Sequence, residues 1–266
     1  MRPLYWLVAA VLGLVVTSCA STHTPPTPEV RQALAPTGKL RVGVFLGSPA
    51  SVIRDAASGE MKGVAFDLGK ELALLLGVPF ELVVYPSIGA LLDGAKSGAW
   101  DISMLGVNPA RAKEFDFTQA VFELEFGYLA PSGSSLLTLA DVDRPGIRVR
   151  VQENSTVQAI LSRLLKAASL VAGPGVTGGL AMLKSGKTDV FAANKSILFE
   201  MSDQLPGSRV LPGSYSTEPA AIALLRGRDA GMVYLRNFVE DATSGGLVKA
   251  AAARAGLRGA IEPAAK

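Results

Sequence analysis

Short β-branched runs alternate with helical stripes along most of this chain. Leu40-Arg41-Val42-Gly43-Val44 and Ile147-Arg148-Val149-Arg150-Val151 are compact runs that suit buried strands. Between them Leu68, Leu72, Leu75 and Leu76 form an apolar stripe at helical spacing, ending at Gly77, a residue suited to a C-terminal helix cap. After the second run, Val157, Ile160, Leu161, Leu164, Leu165 and Ala168 continue a second stripe. Beyond Pro212 the pattern predicts a strand over Ala220 to Leu225. Two helices separated by Gly245-Gly246 follow, the first with Met232, Leu235, Val239 and Ala242 on one face. This alternation implies an α/β fold.

An internal echo refines the architecture. Lys96-Ser97-Gly98-Ala99-Trp100-Asp101-Ile102 follows the first strand run, and Lys184-Ser185-Gly186-Lys187-Thr188-Asp189-Val190 follows the second. Each has the character of a helix end, a glycine turn, an aspartate and a new strand. Two matches in one order, in one predicted context, point to two similar α/β units in succession. The second interval is shorter, so the second unit should be smaller. The strand over 220–225 should complete the first.

The N-terminal region has a different pattern. Arg2, the apolar run Leu4 to Val16 and Thr17-Ser18-Cys19 have the charged start, apolar middle and small-residue exit of a secretory signal. A membrane span needs about 20 apolar residues, more than this run supplies. Val16-Thr17-Ser18-Cys19 also resembles the bacterial lipobox, which implies a lipoprotein signal peptide over 1–19 whose Cys19 is lipidated and becomes the mature N-terminus. Cys19 is the only cysteine, so no intramolecular disulfide can form. Residues 20–38, rich in Ser, Thr and Pro, are expected to be an extended tether with the folded part starting near Lys39. About 225 residues remain, enough for one large or two small cores.

Composition excludes several function classes. A net charge of +3 with dispersed Lys and Arg does not mark a nucleic-acid surface. The single histidine, His23, lies in the tether. There is no Gly-x-Ser-x-Gly elbow, no phosphate-binding glycine loop and no metal-ligand cluster, so neither a cofactor nor a metal is expected.

From Lys39 to about Gly259 the chain resembles the amino-acid-type periplasmic solute-binding proteins. The carrying segments are Lys39 to Val44, Gly63-Val64-Ala65-Phe66-Asp67-Leu68, Ser97 to Ile102, Arg111 with Phe115-Asp116-Phe117-Thr118, Val151-Gln152-Glu153-Asn154-Ser155-Thr156, and Thr217-Glu218-Pro219. The resemblance implies two Rossmann-like lobes joined by two crossing hinge strands, the type II periplasmic binding protein fold. The first lobe would span 39–130 and 214–260, the second 131–213, with a short tail at 261–266. It further implies a monomer in the periplasm or at the cell surface, anchored to the membrane by its lipid. This monomer would capture a small carboxylate-bearing solute by lobe closure for an inner-membrane ABC permease. Similar folds also serve exported cyclohexadienyl dehydratases and ligand-sensing modules that signal to a separate receptor, and these stand as alternatives.

Site residues follow from the family register. Arg111, four residues before Phe115, matches the arginine that grips a ligand carboxylate; guanidinium offers a planar pair of donors and stays charged. Without that register an arginine between two alanines is an ordinary surface residue. Ser155 and Thr156 precede the second stripe, and Ser155 with Gln158 fits a capping box, whose helix start favours either a plain cap or an anion. Asn108 is a candidate contact or a turn residue before Pro109. Phe45 and Ser48 are candidate walls, though Phe45 also suits the core. Glu218 belongs near the cleft or at the hinge. Asn194 stands where many amino-acid-binding members carry the aspartate that holds the ligand ammonium. Its neutral amide puts that ammonium in doubt.

Overall fold

A computed structural model describes residues 25–55 and 57–263 of the protein. The expected signal peptide, Cys19, His23 and the start of the tether lie outside the described residues. Helix α1 (Pro28–Leu34) comes first, within the segment whose composition predicts an extended tether. Thr27 caps it by accepting from the Val30 N–H, and Pro28 begins it, where a missing N–H is harmless. Leu34 is fully buried, packed so closely on Gly231 that an added Cβ there would lie 2.8 Å from it. Arg31 Nε donates to the Leu76 carbonyl at 2.9 Å. The tether expectation fails over this turn because Val30 and Leu34 share one helical face and find an apolar surface that composition does not reveal.

The first lobe contains β1 (Leu40–Phe45), a small hairpin of β2 (Ile53–Arg54) and β3 (Met61–Lys62), α2 (Val64–Leu76), β4 (Phe80–Tyr85), α3 (Ile88–Lys96), β5 (Ile102–Gly106) and β6 (Phe115–Phe117). Strand β7 (Phe122–Ala130) crosses to the second lobe. That lobe holds β8 (Arg148–Gln152), α4 (Thr156–Leu164), β9 (Ser169–Gly173), α5 (Val176–Lys184), β10 (Val190–Asn194), α6 (Lys195–Asp203) and β11 (Arg209–Val210). Strand β12 (Ser216–Leu225) returns to the first lobe, followed by α7 (Asp229–Ser244), α8 (Leu247–Ala255) and β13 (Ala260–Ile261).

The main sheet path runs β4-β1-β5-β12-β7-β10-β8-β9. Each lobe thus has three parallel strands and one antiparallel crossing strand, in matching order from either edge: β4-β1-β5-β12 and β9-β8-β10-β7. The crossing strands pair antiparallel from Phe122 opposite Ala220 to Phe126 opposite Ser216. Ala220 to Leu224 pair with β5, which is how the late strand completes the first lobe.

The sequence echo has a physical counterpart in both lobes. Arg41, on β1, grips Asp101 with Nε and Nη2 at 3.0 and 2.7 Å, while Nη1 donates to the Gly98 carbonyl. Arg148, on β8, grips Asp189 with Nε and Nη2 at 3.0 and 2.8 Å, and Nη2 also donates to the Gly186 carbonyl. The repeated arginine, glycine and aspartate therefore lock the start of one strand to the start of its parallel neighbour twice over.

The second helical stripe ends earlier than its periodicity predicts. Val157 and Leu161 are buried, but α4 stops at an exposed Leu164. The Asp143 carboxylate accepts from the backbone N–H groups of Lys166, Ala167 and Ala168, turning the chain out of the helix toward β9.

Candidate functional site

The carboxyl ends of β5, β8 and β10 face a narrow cleft between the lobes with about 70 Å³ of free volume. This is where parallel α/β sheets leave strand ends and helix starts open to a ligand. Of the seven predicted binding residues, Phe45, Ser48, Arg111, Ser155, Thr156 and Asn194 line it. Asn108 stands in the adjoining outer groove. Its Nδ2 nevertheless donates to Thr156 Oγ1 across the lobes at 2.9 Å, and its Oδ1 accepts from the Arg111 N–H at 3.0 Å.

Arg111 opens a 3-10 turn (Arg111–Lys113) and is buried, contrary to what an arginine between alanines suggests. Its Nη1 donates to the Gly106 carbonyl at 2.9 Å and lies 3.9 Å from Glu218 Oε1. Burial pushes its pKa down and Glu218 opposes that shift. Glu218 combines both expected roles: it is on the crossing strand β12, and its side chain lines the cleft. Thr156 donates to its Oε1 in a short contact. Burial raises the Glu218 pKa, while Arg111 and then Thr156 and Asn108 pull it back. Gly106 makes room for this carboxylate, because a Cβ there would sit 2.0 Å from it.

Ser155 caps α4 by accepting from the Gln158 N–H at 3.1 Å and donates to the Gln152 carbonyl at 2.6 Å. Only half of the expected capping box forms: Gln158 Oε1 accepts from the N–H of Asn154, one residue before the cap. Asn154 holds a positive φ of 59°, which places its N–H within that reach. The Ser155 N–H is not taken by the box, and it belongs to a helix start that faces the cleft.

Asn194 departs from its expected chemistry. It ends β10 and caps α6, with Oδ1 accepting from Ile197 N–H at 3.1 Å and Ser196 Oγ at 2.7 Å. Its acceptor is spent on the helix, and only N–H donors remain for a neighbour. The amide is thus unsuited to an ammonium. Of the two acids near the family segments that could replace its charge, Glu218 lines the cleft and Glu153 does not.

Sequence reasoning missed the walls contributed by Met104, Gly106, Gln152, Ala193 and Ile197. Their common signal is position at strand ends or helix starts, which becomes informative only when strand order is known. Among the described residues no His, Cys, Asp or Glu group could hold a metal, and no helix is long and apolar enough to cross a membrane.

A sequence model of the bacterial extracellular solute-binding proteins, family 3, matches residues 40–204, well over half of the chain. The chain belongs to that family. The ABC transporter glutamine-binding protein GlnH of Bacillus subtilis is 24% identical over 203 residues, covering 74% of each protein. Among solved structures, the amino acid ABC transporter substrate-binding protein AbpA of Streptococcus pneumoniae, bound to L-arginine, has a TM-score of 0.76 at 20% identity, covering 84% of this chain and 97% of that one. The ancestral amino-acid-binding protein AncCDT-1, a precursor of cyclohexadienyl dehydratase, has a TM-score of 0.70 at 21% identity, covering 82% and 95%. These likenesses establish the type II periplasmic binding protein fold. As a family 3 member the chain is a solute-binding protein rather than an enzyme, and its likeness to the dehydratase precursor is one of fold.

Proposed function

We propose that this family 3 protein captures a small amino acid between its lobes for an ABC uptake permease, with Arg111 taking the carboxylate and Glu218 the ammonium. One observation carries the assignment: two buried, oppositely charged groups, 3.9 Å apart, line a cleft that the other lobe closes through Thr156. A zwitterion presents the complementary pair of charges at similar spacing. The Ser155 helix start and the Asn194 N–H donors add positive character for the carboxylate. With Asn194 neutral, two ligand classes are to be weighed, an acid without an ammonium or an amino acid whose ammonium another acid meets. Glu218 in the cleft supports the second. Closure then follows from contacts that ligand and Thr156 make across the cleft, and the closed pair of lobes is what a permease recognises.

The test separates the two classes. In Glu218→Gln, calorimetry of each amino acid beside its keto or hydroxy analogue should show at least about 30-fold weaker binding of the amino acid, while the analogue stays within about threefold or binds more tightly. Because burial raises the Glu218 pKa and an ammonium needs the ionised carboxylate, amino acid affinity in the unchanged protein should fall as the pH drops through that raised value. Amino acid affinity unchanged by Glu218→Gln would remove Glu218 from the site.

The same proposal includes a lipid anchor at Cys19, resting on Val16-Thr17-Ser18-Cys19. Cys19→Ser should yield an unlipidated precursor or a soluble product. Partition of the variant with membranes into detergent, at the level of the unchanged protein, would contradict the anchor. The protein would act as a monomer, with a nucleic acid excluded as partner by its dispersed charge.

A further inference from the structure

Arg150 is 1% exposed, the least exposed arginine among the described residues, and no carboxylate pairs with it there. Its one hydrogen bond runs from Nη2 to the Pro174 carbonyl at 3.1 Å. Nε and Nη1 are buried without a partner. Glu153 acts on it through space only. A cation held this way is costly unless something else supplies the missing acceptors.

The registers show where this guanidinium stands. The Arg150 backbone is level with Val171 on β9 and with Phe191 on β10. Its Nη2, however, reaches Gly173 and Pro174, one side-chain layer nearer the carboxyl ends of the strands; a Cβ on Gly173 would lie 3.0 Å from Nη2. Gly173 is level with Gln152, whose side chain lies on the same face of β8 as Arg150 and lines the cleft. Gln152 Oε1 is also buried and without a partner. Gln152 thus lines the floor of the cleft on the second lobe, away from the Arg111–Glu218 pair on the first, while Arg150, on the same face of β8, does not itself line the cleft and has its guanidinium over the Phe191 ring, 5.8 Å from the centroid.

We infer that Arg150 and Gln152 form a distal subsite for an anionic side chain, so that the amino acid captured is an acidic one. This rests on the amino acid assignment above and extends it. The site charges then run positive at Arg111, negative at Glu218 and positive at Arg150, matching the carboxylate, ammonium and side-chain carboxylate of an acidic amino acid. The Arg150 charge behind Gln152 favours a carboxylate there, and a shift of the Gln152 side chain lets that carboxylate accept from the unpaired Arg150 Nε and Nη1. Rotation about the last side-chain bond turns the Gln152 N–H pair toward the same anion. Basic side chains are rejected by like charge.

Calorimetry of the unchanged protein with L-glutamate, L-aspartate, L-glutamine, L-arginine and glutarate tests this. The tighter of the two acidic amino acids should bind at least about tenfold more tightly than L-glutamine, with L-arginine undetected. In Arg150→Met that preference should collapse to about threefold or less, with the melting temperature kept or raised because an unpaired buried charge is gone. Should Arg150→Met fail to fold, Arg150→Lys keeps the charge without the planar fork and should retain part of the preference. A preference unchanged in Arg150→Met would show that the guanidinium holds a buried water or nothing, and would overturn the inference. L-glutamine bound as tightly as the acids would overturn it while leaving the amino acid assignment standing. Binding of glutarate but of no amino acid would overturn both.

Discussion

Arg111→Ala is expected to weaken amino acid binding by about 30-fold to several thousandfold. The guanidinium is buried on the cleft wall and fixed by the Gly106 carbonyl, and the proposed carboxylate would complete its donors. Removing one partner of a desolvated charge-assisted pair costs about 2 to 5 kcal/mol, which gives that range of affinity. The substitution also leaves Glu218 buried without its counter-charge, so its carboxyl pKa should rise further. Calorimetry of Arg111→Ala beside the unchanged protein, at matched thermal stability without ligand, measures the effect. Affinity within about threefold, or under about 1 kcal/mol, would remove Arg111 from the site.

Asp101→Ala should produce the largest loss of stability. Asp101 is fully buried, accepts from Arg41 at both oxygens and from the Arg41 N–H, and has Arg228 Nη1 at 3.6 Å. Deleting the carboxylate leaves two cations at a buried strand start, and breaking such a pair costs about 3 to 5 kcal/mol. Its counterpart Asp189 is partly exposed, as is Arg148, so Asp189→Ala should cost only about 1 kcal/mol. Urea denaturation of both variants checks the contrast. Equal losses would show that the repeated arginine–aspartate lock is not graded by burial.

Much of the fold was legible along the chain because its cause is local. The Gly77 cap adopts the left-handed φ of 66° that its position demands, and the stripe before it buries Leu68, Leu72 and Leu76. The echoed Arg41 and Arg148 strands and the Asp101 and Asp189 turns become equivalent elements of two lobes. The helix at Pro28–Leu34 was hidden because two apolar residues on a short turn carry no signal until α7 offers them a surface. The early end of α4 was hidden for a related reason. It is imposed by Asp143, some twenty residues upstream, through backbone bonds that no periodicity contains.

The site divides in the same way. Arg111, Ser155 and Thr156 could be placed from family register and from the helix start that Ser155 caps. The sequence by itself thus determined the two α/β units, their order, and the arginine proposed to meet a carboxylate. Only the tertiary structure decided what else shares the cleft. Glu218 comes within 3.9 Å of Arg111 although 107 positions separate them, because crossing strand β12 lies beside β5. Asn194 has its acceptor consumed by α6, and Arg150 has its charge carried up to the level of Gln152 by the pairing of β8 with β9. Charge complementarity is a sum over neighbours in space, and strand order rather than chain order sets who those neighbours are.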